Sequence, residues 1–257
     1  MTIHYRRVSG QPLDRIDYGE KFRVGVLLPS GNAVAEPELR AMLPLGTSLH
    51  VTRLPLRGSS ESELLGMIDG LEAASRLLAD AKVDLIAFHC TAVSTFAPHL
   101  APEICARIEA ATGIAAMATA DAIVSAVKAL HAVRVSLLTP YIDAVHRREI
   151  EFLNGCGVTV TGSANLGIDS NTEMAKLTPA RIVDWVLGQD HSDAKACLLS
   201  CTAIKSAGTI EVLEQKLGLP FITSNQAMVW SLLERKGIAE RVAGFGRLMR
   251  QTAQAKT

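Results

Sequence analysis

Short β-branched or leucine-rich runs alternate with longer segments of helical periodicity from about Phe22 onward. This is the pattern of a parallel sheet covered on both faces, whose strands lack the polar alternation of a half-exposed sheet. It predicts strands near Arg23–Leu28, Leu49–Arg53, Val83–His89 and Ile114–Met117, with helices near Glu36–Met42, Glu61–Asp80, Pro98–Thr112 and Asp121–Leu130 between and after them. The same β-α-β-α-β-α-β-α order then recurs. Strands are expected near Arg134–Leu138, Val158–Ser163, Ala196–Ser200 and Phe221–Thr223, and helices near Ile142–Asn154, Glu173–Leu187, Thr209–Leu217 and Asn225–Lys236.

The recurrence is visible in the residues as well. Cys-Thr-Ala occurs twice, in FHCTAVS around Cys90 and LSCTAIKS around Cys201, and the same spacing relates RVGVLLPS at Arg23–Ser30 to RVSLLTPY at Arg134–Tyr141. GIAAMATADA from Gly113 matches GLPFITSNQA from Gly218 at a slightly shorter offset. The expected fold is therefore α/β, with two pseudo-symmetric lobes, each a four-stranded parallel sheet with helices on both faces, and an active site in the cleft between them. A polar N-terminal arm is expected over 1–20, the first lobe over 21–131 with the C-terminal segment packing back on it, and the second lobe and tail over 132–257.

Right-handed βαβ crossovers place the carboxyl ends of all strands on one edge of each sheet, where open α/β folds bind ligands. Pro29–Asn32, Cys90–Ala92, Thr139–Tyr141 and Cys201–Ala203 fall at such ends. Two lobes facing each other would then bring one thiol each to a single substrate. A cysteine between a strand end and a helix start meets backbone N–H groups that favour thiolate and bind carboxylate oxygens. Opposed thiols suit proton transfer at a carbon beside a carboxylate, without metal or organic cofactor. The alternative is that both cysteines are buried small hydrophobes.

Composition narrows the partners. The 257 residues carry 26 Lys and Arg against 26 Asp and Glu, with no basic run longer than two residues, which excludes an electrostatic footprint for nucleic acid or an anionic membrane. Five cysteines without zinc-site spacing point to free thiols in a reducing, cytoplasmic setting. The N-terminus lacks an apolar signal region, and no apolar stretch is long enough to span a bilayer. The expected partner is a small mono- or dicarboxylate, and a closed homo-oligomer is expected only because symmetric assemblies are common among soluble proteins.

PSGN at Pro29–Asn32, FHCTA at Phe88–Ala92, TPY at Thr139–Tyr141, GIDSNTEMAKLTP at Gly167–Pro179 and LLSCTAI at Leu198–Ile204 together resemble the Asp/Glu racemase superfamily, and within it the branch of maleate cis-trans isomerase and arylmalonate decarboxylase. The resemblance runs from about Phe22 to Gly246. It implies Cys90 as a nucleophile adding to a double bond and Cys201 as its acid/base partner. Asn32, Tyr141 and Asn171 are implied as carboxylate ligands, with Thr91, Ala92, Thr202 and Ala203 offering donors around the thiols. Arylmalonate decarboxylases resemble the second half well but carry glycine where Cys90 stands and lack an asparagine like Asn32. Retention of both thiols therefore favours isomerase or racemase. The chain departs from the isomerase pattern PSSNT at Gly31 and Ala33.

Maleate-type isomerisation is the first expectation. The alternatives are an amino-acid or hydantoin-type racemase using Cys90 and Cys201 as two bases, an arylmalonate-type decarboxylase, and a non-catalytic carboxylate-binding protein. Asn171 reads alternatively as a helix N-cap, Thr91 and Thr202 as caps, and Tyr141 as an amphipathic strand-end residue. His89 points away from Cys90 by strand alternation and reads as structural. Arg53 and Arg57 could reach a distal carboxylate, with solvated loop residues the commoner reading, and Cys105, Cys156 and Cys197 read as packing or exposed residues.

Overall fold

The computed structural model describes residues 17–251, so most of the expected polar arm lies outside the described residues. In chain order the elements are β1 (Phe22–Pro29), α1 (Ala35–Met42), β2 (Thr47–Leu54), α2 (Glu61–Gly66), α3 (Leu71–Asp80), β3 (Leu85–Phe88), α4 (Thr91–Ser94), α5 (Leu100–Thr112), β4 (Ala116–Ala118) and α6 (Thr119–Ala129). They continue with β5 (Arg134–Tyr141), α7 (Asp143–Gly155), β6 (Thr159–Ile168), α8 (Asn171–Met174), α9 (Pro179–Leu187), β7 (Ala196–Leu199), α10 (Ile210–Leu217), β8 (Phe221–Thr223), α11 (Ser224–Lys236) and α12 (Gly246–Arg250).

The strands form two parallel four-stranded sheets in matching order, β2-β1-β3-β4 and β6-β5-β7-β8. In each, the order reverses between the first and third strands of the half, β1 and β3 or β5 and β7. That reversal opens a crevice beyond the carboxyl ends, where loops diverge to opposite sides of the sheet.

Both sheet faces are buried. Val24, Val26 and Leu28 of β1 join one apolar layer with α1 and α6, while Leu27 joins a second layer with Ile86 and Phe88 of β3 and Leu71 and Leu78 of α3. The first layer runs on without a break to Val135 and Leu137 of β5 through α11, which packs against both α6 and α1. The two lobes thus share a core, and α11 sits at its centre.

Two expected helices are divided. The segment expected as one helix over 61–80 turns at Met67–Gly70, where Gly66 and Gly70 carry the low helix propensity of a residue with maximal backbone freedom. The helix expected over 173–187 breaks before Pro179, which starts α9 under a Thr178 cap accepting from the Arg181 N–H. Strand β6 extends five residues beyond its expected end at Ser163 to Ile168, with one register shift against β5 before Ser163 and a second within the extension. Helix α12 had no counterpart in the sequence reading. No helix of the described residues is long and apolar enough to cross a membrane.

Candidate active site

The loops after β1, β3, β5 and β7 meet where the two sheets' crevices face each other. Asn32, after β1, is fully buried, and its side chain is spent in two directions. Its Oδ1 accepts from the Val34 and Ala35 N–H groups at 2.9 and 3.0 Å at the entry to α1, and its Nδ2 donates across the lobes to Thr202 Oγ1 at 3.0 Å. Arg53, exposed but not free, donates to the Asn32 carbonyl at 2.7 Å and pairs with Glu36 at 3.1 Å, so it braces this turn. Thr202 accepts from Asn32, which leaves its own hydroxyl proton for another acceptor.

Cys90 stands immediately before α4 and is 4 % exposed; Cys201, after β7, is 2 % exposed. Burial pushes both thiols up to about 12. The Ala92 and Val93 N–H groups pull Cys90 back only in part. For Cys201 the Ala203 N–H, donating to Sγ at 3.2 Å, and a hydrogen bond from Tyr141 do the same, while the charges of Cys90 and Glu149 oppose ionisation. The local pull of a helix start toward thiolate is therefore overridden: α4 is one turn long, and desolvation of the anion outweighs its few N–H donors. Both thiols rest protonated.

Tyr141, at the end of β5, is buried with its hydroxyl facing Cys201; desolvation raises its pKa well above 10, and the charges of Cys201, Glu149 and Cys90 add to that. Asn171 is the first residue of α8, whose cap is Ser170, accepting from the Glu173 N–H. It therefore has no capping duty. Its Nδ2 is buried without a hydrogen-bond partner and lies against Gly31, where a Cβ would come within 3.6 Å of it and 3.2 Å of the Leu56 carbonyl. Thr91 is buried and its hydroxyl is committed, donating to Ser224 Oγ at 3.0 Å. Ala92 and Ala203 contribute backbone alone.

Besides His89, which the sequence reading weighed as structural, several residues around this site were not singled out as site residues in the sequence. His89 is wholly buried, bonded to Thr119 through Nδ1 at 3.1 Å and to Asn225 through Nε2 at 2.8 Å, and burial lowers its pKa to about 4. Asn225 continues to Glu38 on α1 at 2.7 Å. Glu149, on α7, is fully buried with neither carboxylate oxygen hydrogen-bonded; burial raises its pKa to about 8, and the nearby Ser200 hydroxyl offsets little of that. A signal for Glu149 exists in the chain, since it shares the buried stripe of Val145, Phe152 and Leu153 at helical spacing. Cys105, Cys156 and Cys197 are free thiols away from this cluster of loops. Among the described residues, no group of three or more His, Cys, Asp or Glu side chains is placed to hold a metal ion.

The chain is 29% identical over 243 residues to a maleate isomerase of Geobacillus stearothermophilus, covering 89% of this chain and 97% of that protein. It is 32% identical over 141 residues to an arylmalonate decarboxylase of Bordetella bronchiseptica, covering 54% and 59%. The fold superposes with a TM-score of 0.84 on a cysteine variant of the Nocardia farcinica maleate cis-trans isomerase that carries a covalently bound succinylcysteine intermediate, at 24% identity and covering 90% of this chain and 99% of that one. A family model described as arylmalonate decarboxylase matches residues 24–249, from within β1 to within α12, and the chain belongs to that family.

Proposed function

We propose that the protein is an isomerase that converts maleate to fumarate without a cofactor, with Cys90 as nucleophile and Cys201 as its acid/base partner. The observation that carries this reading is a pair of enclosed, neutral thiols, one from each half of the chain, near enough that ionising Cys90 would make Cys201 harder to ionise. A decarboxylase needs one thiol to protonate an enediolate; this chain retains two.

Cys90 Sγ adds to one alkene carbon, and the π electrons move to the neighbouring carbon, where the adjacent carboxylate spreads the charge. The Cys201 thiol gives its proton to that carbon and receives the proton that Cys90 loses, so the balance is one S–H consumed and one C–S and one C–H bond formed. Rotation about the new single bond carries the carboxylates apart. In elimination the Cys201 thiol passes its held proton to the Cys90 sulfur as the C–S bond breaks, and its sulfur takes up the C–H proton, so that both thiols end protonated and the double bond is restored. The N–H groups of Ala92 and Val93 stabilise sulfur as it leaves, and the Tyr141 hydrogen bond eases ionisation of Cys201. Asn171 Nδ2 and the Thr202 hydroxyl hold one carboxylate, and the second Asn32 Nδ2 proton serves the other.

Proton NMR of the full chain with maleate in deuterium oxide tests this. The maleate vinyl signal is expected to give way to that of fumarate, and to persist with Cys90→Ala. No fumarate together with carbon dioxide release from an arylmalonate would replace the isomerase by a decarboxylase; loss of a Cα–H signal from an amino acid would replace it by a racemase.

A further inference from the structure

The first turn of α11 reaches both thiol loops at once. Ser224 Oγ accepts from Thr91, the residue after Cys90, at 3.0 Å and meets Ser200 Oγ, the residue before Cys201, at 3.4 Å. Asn225 Oδ1 meets Nε2 of His89, the residue before Cys90, at 2.8 Å, and its Nδ2 donates toward the carbonyl of Thr202, the residue after Cys201, at 3.4 Å. All four residues flanking the two thiols are therefore tied to two consecutive residues of one helix.

That helix start is itself fixed. Thr223 and Gln226 form a capping box, Gln226 also donates to the Phe245 carbonyl at 2.6 Å, and Ser224, Asn225 and Gln226 are all fully buried. The orientation of the Asn225 amide follows from its third partner. Nδ2 donates to Glu38 Oε2 at 2.7 Å, and Glu38 also accepts from the Ala207 N–H at 2.9 Å and the Ser206 hydroxyl at 3.3 Å. With Nδ2 turned to the carboxylate, Oδ1 faces the imidazole, so His89 carries a proton on Nε2. Glu38 lies on α1, whose first residue, Ala35, donates its N–H to Asn32 Oδ1, so the same amide also couples the Asn32 turn to both cysteines.

The repeat does not require this arrangement. Thr119-Ala120 occupies the corresponding place at the start of α6, where Thr119 bonds only to His89 and the Phe88 carbonyl, within its own lobe, and Ala120 has no polar side chain.

We propose that Ser224 and Asn225 are positioning residues that set the separation and orientation of Cys90 and Cys201, with Asn225 carrying the larger share. Neither touches the reacting atoms. The proposal rests on the reading of the two thiols as a working pair, and its consequence is a loss in turnover rather than in substrate binding. Misplacing reacting groups by about 1 Å costs roughly 100-fold in rate.

The test measures kcat and KM for maleate in Asn225→Ala, Asn225→Asp, Ser224→Ala and the pair Glu38→Gln with Asn225→Asp, beside capture of both thiols by one arsenite, mapped by protection from alkylation. Asn225→Ala and Asn225→Asp are expected to lower kcat roughly 100-fold with KM within about threefold, and Ser224→Ala to lower it roughly tenfold. The paired variant restores one donor and one carboxylate to the cluster. It is expected to recover about tenfold or more over Asn225→Asp alone, and arsenite capture should slow and recover in parallel. If Asn225→Ala does not fold, the isosteric Asp variant and its partner decide. Turnover within about threefold of wild type in the folded Asn225 variants would overturn the proposal, as would a loss that the pair does not rescue and that leaves arsenite capture unchanged. Should the wild type convert no maleate, the isomerase reading fails, and the arsenite series alone decides the positioning role.

Discussion

The Cys90 and Cys201 loops carry the same tripeptide at the same place in the same topology, yet their surroundings differ. Cys90 opens the one-turn helix α4 and is served by two backbone N–H groups, those of Ala92 and Val93. Cys201 is followed by an irregular segment, receives the Ala203 N–H, touches Met174 Sδ at 3.8 Å, and shares its environment with the Tyr141 hydroxyl and the Glu149 carboxyl. Backbone donors alone suit a sulfur that forms and breaks a bond to carbon. A tyrosine and a carboxyl beside the other thiol suit proton traffic. Duplication placed two equivalent thiols; the elements packed around them made them unequal.

The strongest way to break this comparison is to remove each thiol in turn. Cys90→Ala and Cys201→Ala are both expected to lower turnover by roughly 10⁴-fold or more, as for members of a concerted catalytic unit. Only Cys201→Ala should still gain the mass of one maleic acid in intact-protein mass spectrometry, and an adduct on Cys201 in the Cys90 variant would reverse the roles. Next in size is Tyr141→Phe, expected to cost about 100-fold in kcat. Because the tyrosine hydrogen bond favours the Cys201 thiolate, its loss should move the alkylation pH profile of Cys201 upward and leave that of Cys90 in place.

Glu149 sharpens the contrast through stability. Its carboxyl is held neutral in the folded chain up to about pH 8 but ionises near 4.5 when unfolded, so its contribution is fully present below 4.5 and is lost as pH rises toward 8. Urea unfolding is expected to show wild type losing roughly 2 kcal/mol between pH 6 and pH 8 relative to Glu149→Gln. Parallel curves would mean that the carboxyl is compensated. The smallest expected effects separate the two asparagines. Asn32→Ala removes the acceptor for two buried N–H groups at the entry to α1 and should cost about 1 kcal/mol or more in urea unfolding. The Asn171 Nδ2 has no hydrogen-bond partner in the fold, so Asn171→Ala should leave stability within about 0.5 kcal/mol while raising KM for maleate. Destabilisation by Asn171→Ala without a change in KM would count against its role as a ligand.

Much of the architecture was readable because buried parallel strands and amphipathic helices leave unmistakable periodicities, and because a repeated tripeptide marked corresponding strand ends. The errors fell where one local device beat the periodicity: the glycines at 66 and 70, the proline at 179, and the bulged strand β6. Within the site, Ser170 rather than Asn171 caps α8, a choice between neighbouring residues that only backbone geometry resolves. The resting protonation of the thiols was not legible in the sequence for a related reason. A strand end followed by a helix start is a local feature that favours thiolate, whereas desolvation depends on everything packed above it.

The sequence by itself determined the two-lobed α/β plan, the pairing of Cys90 with Cys201 at equivalent strand ends, and the edge at which a ligand would bind. These follow from patterns within single segments and from their repetition. Only the tertiary structure decided that both thiols rest neutral, that Glu149 stands unpartnered beside Cys201, and that Ser224 and Asn225 hold the flanks of both. Each depends on side chains more than twenty residues apart in the chain, and burial and hydrogen-bond geometry between such groups exist only once the lobes have closed on a common core.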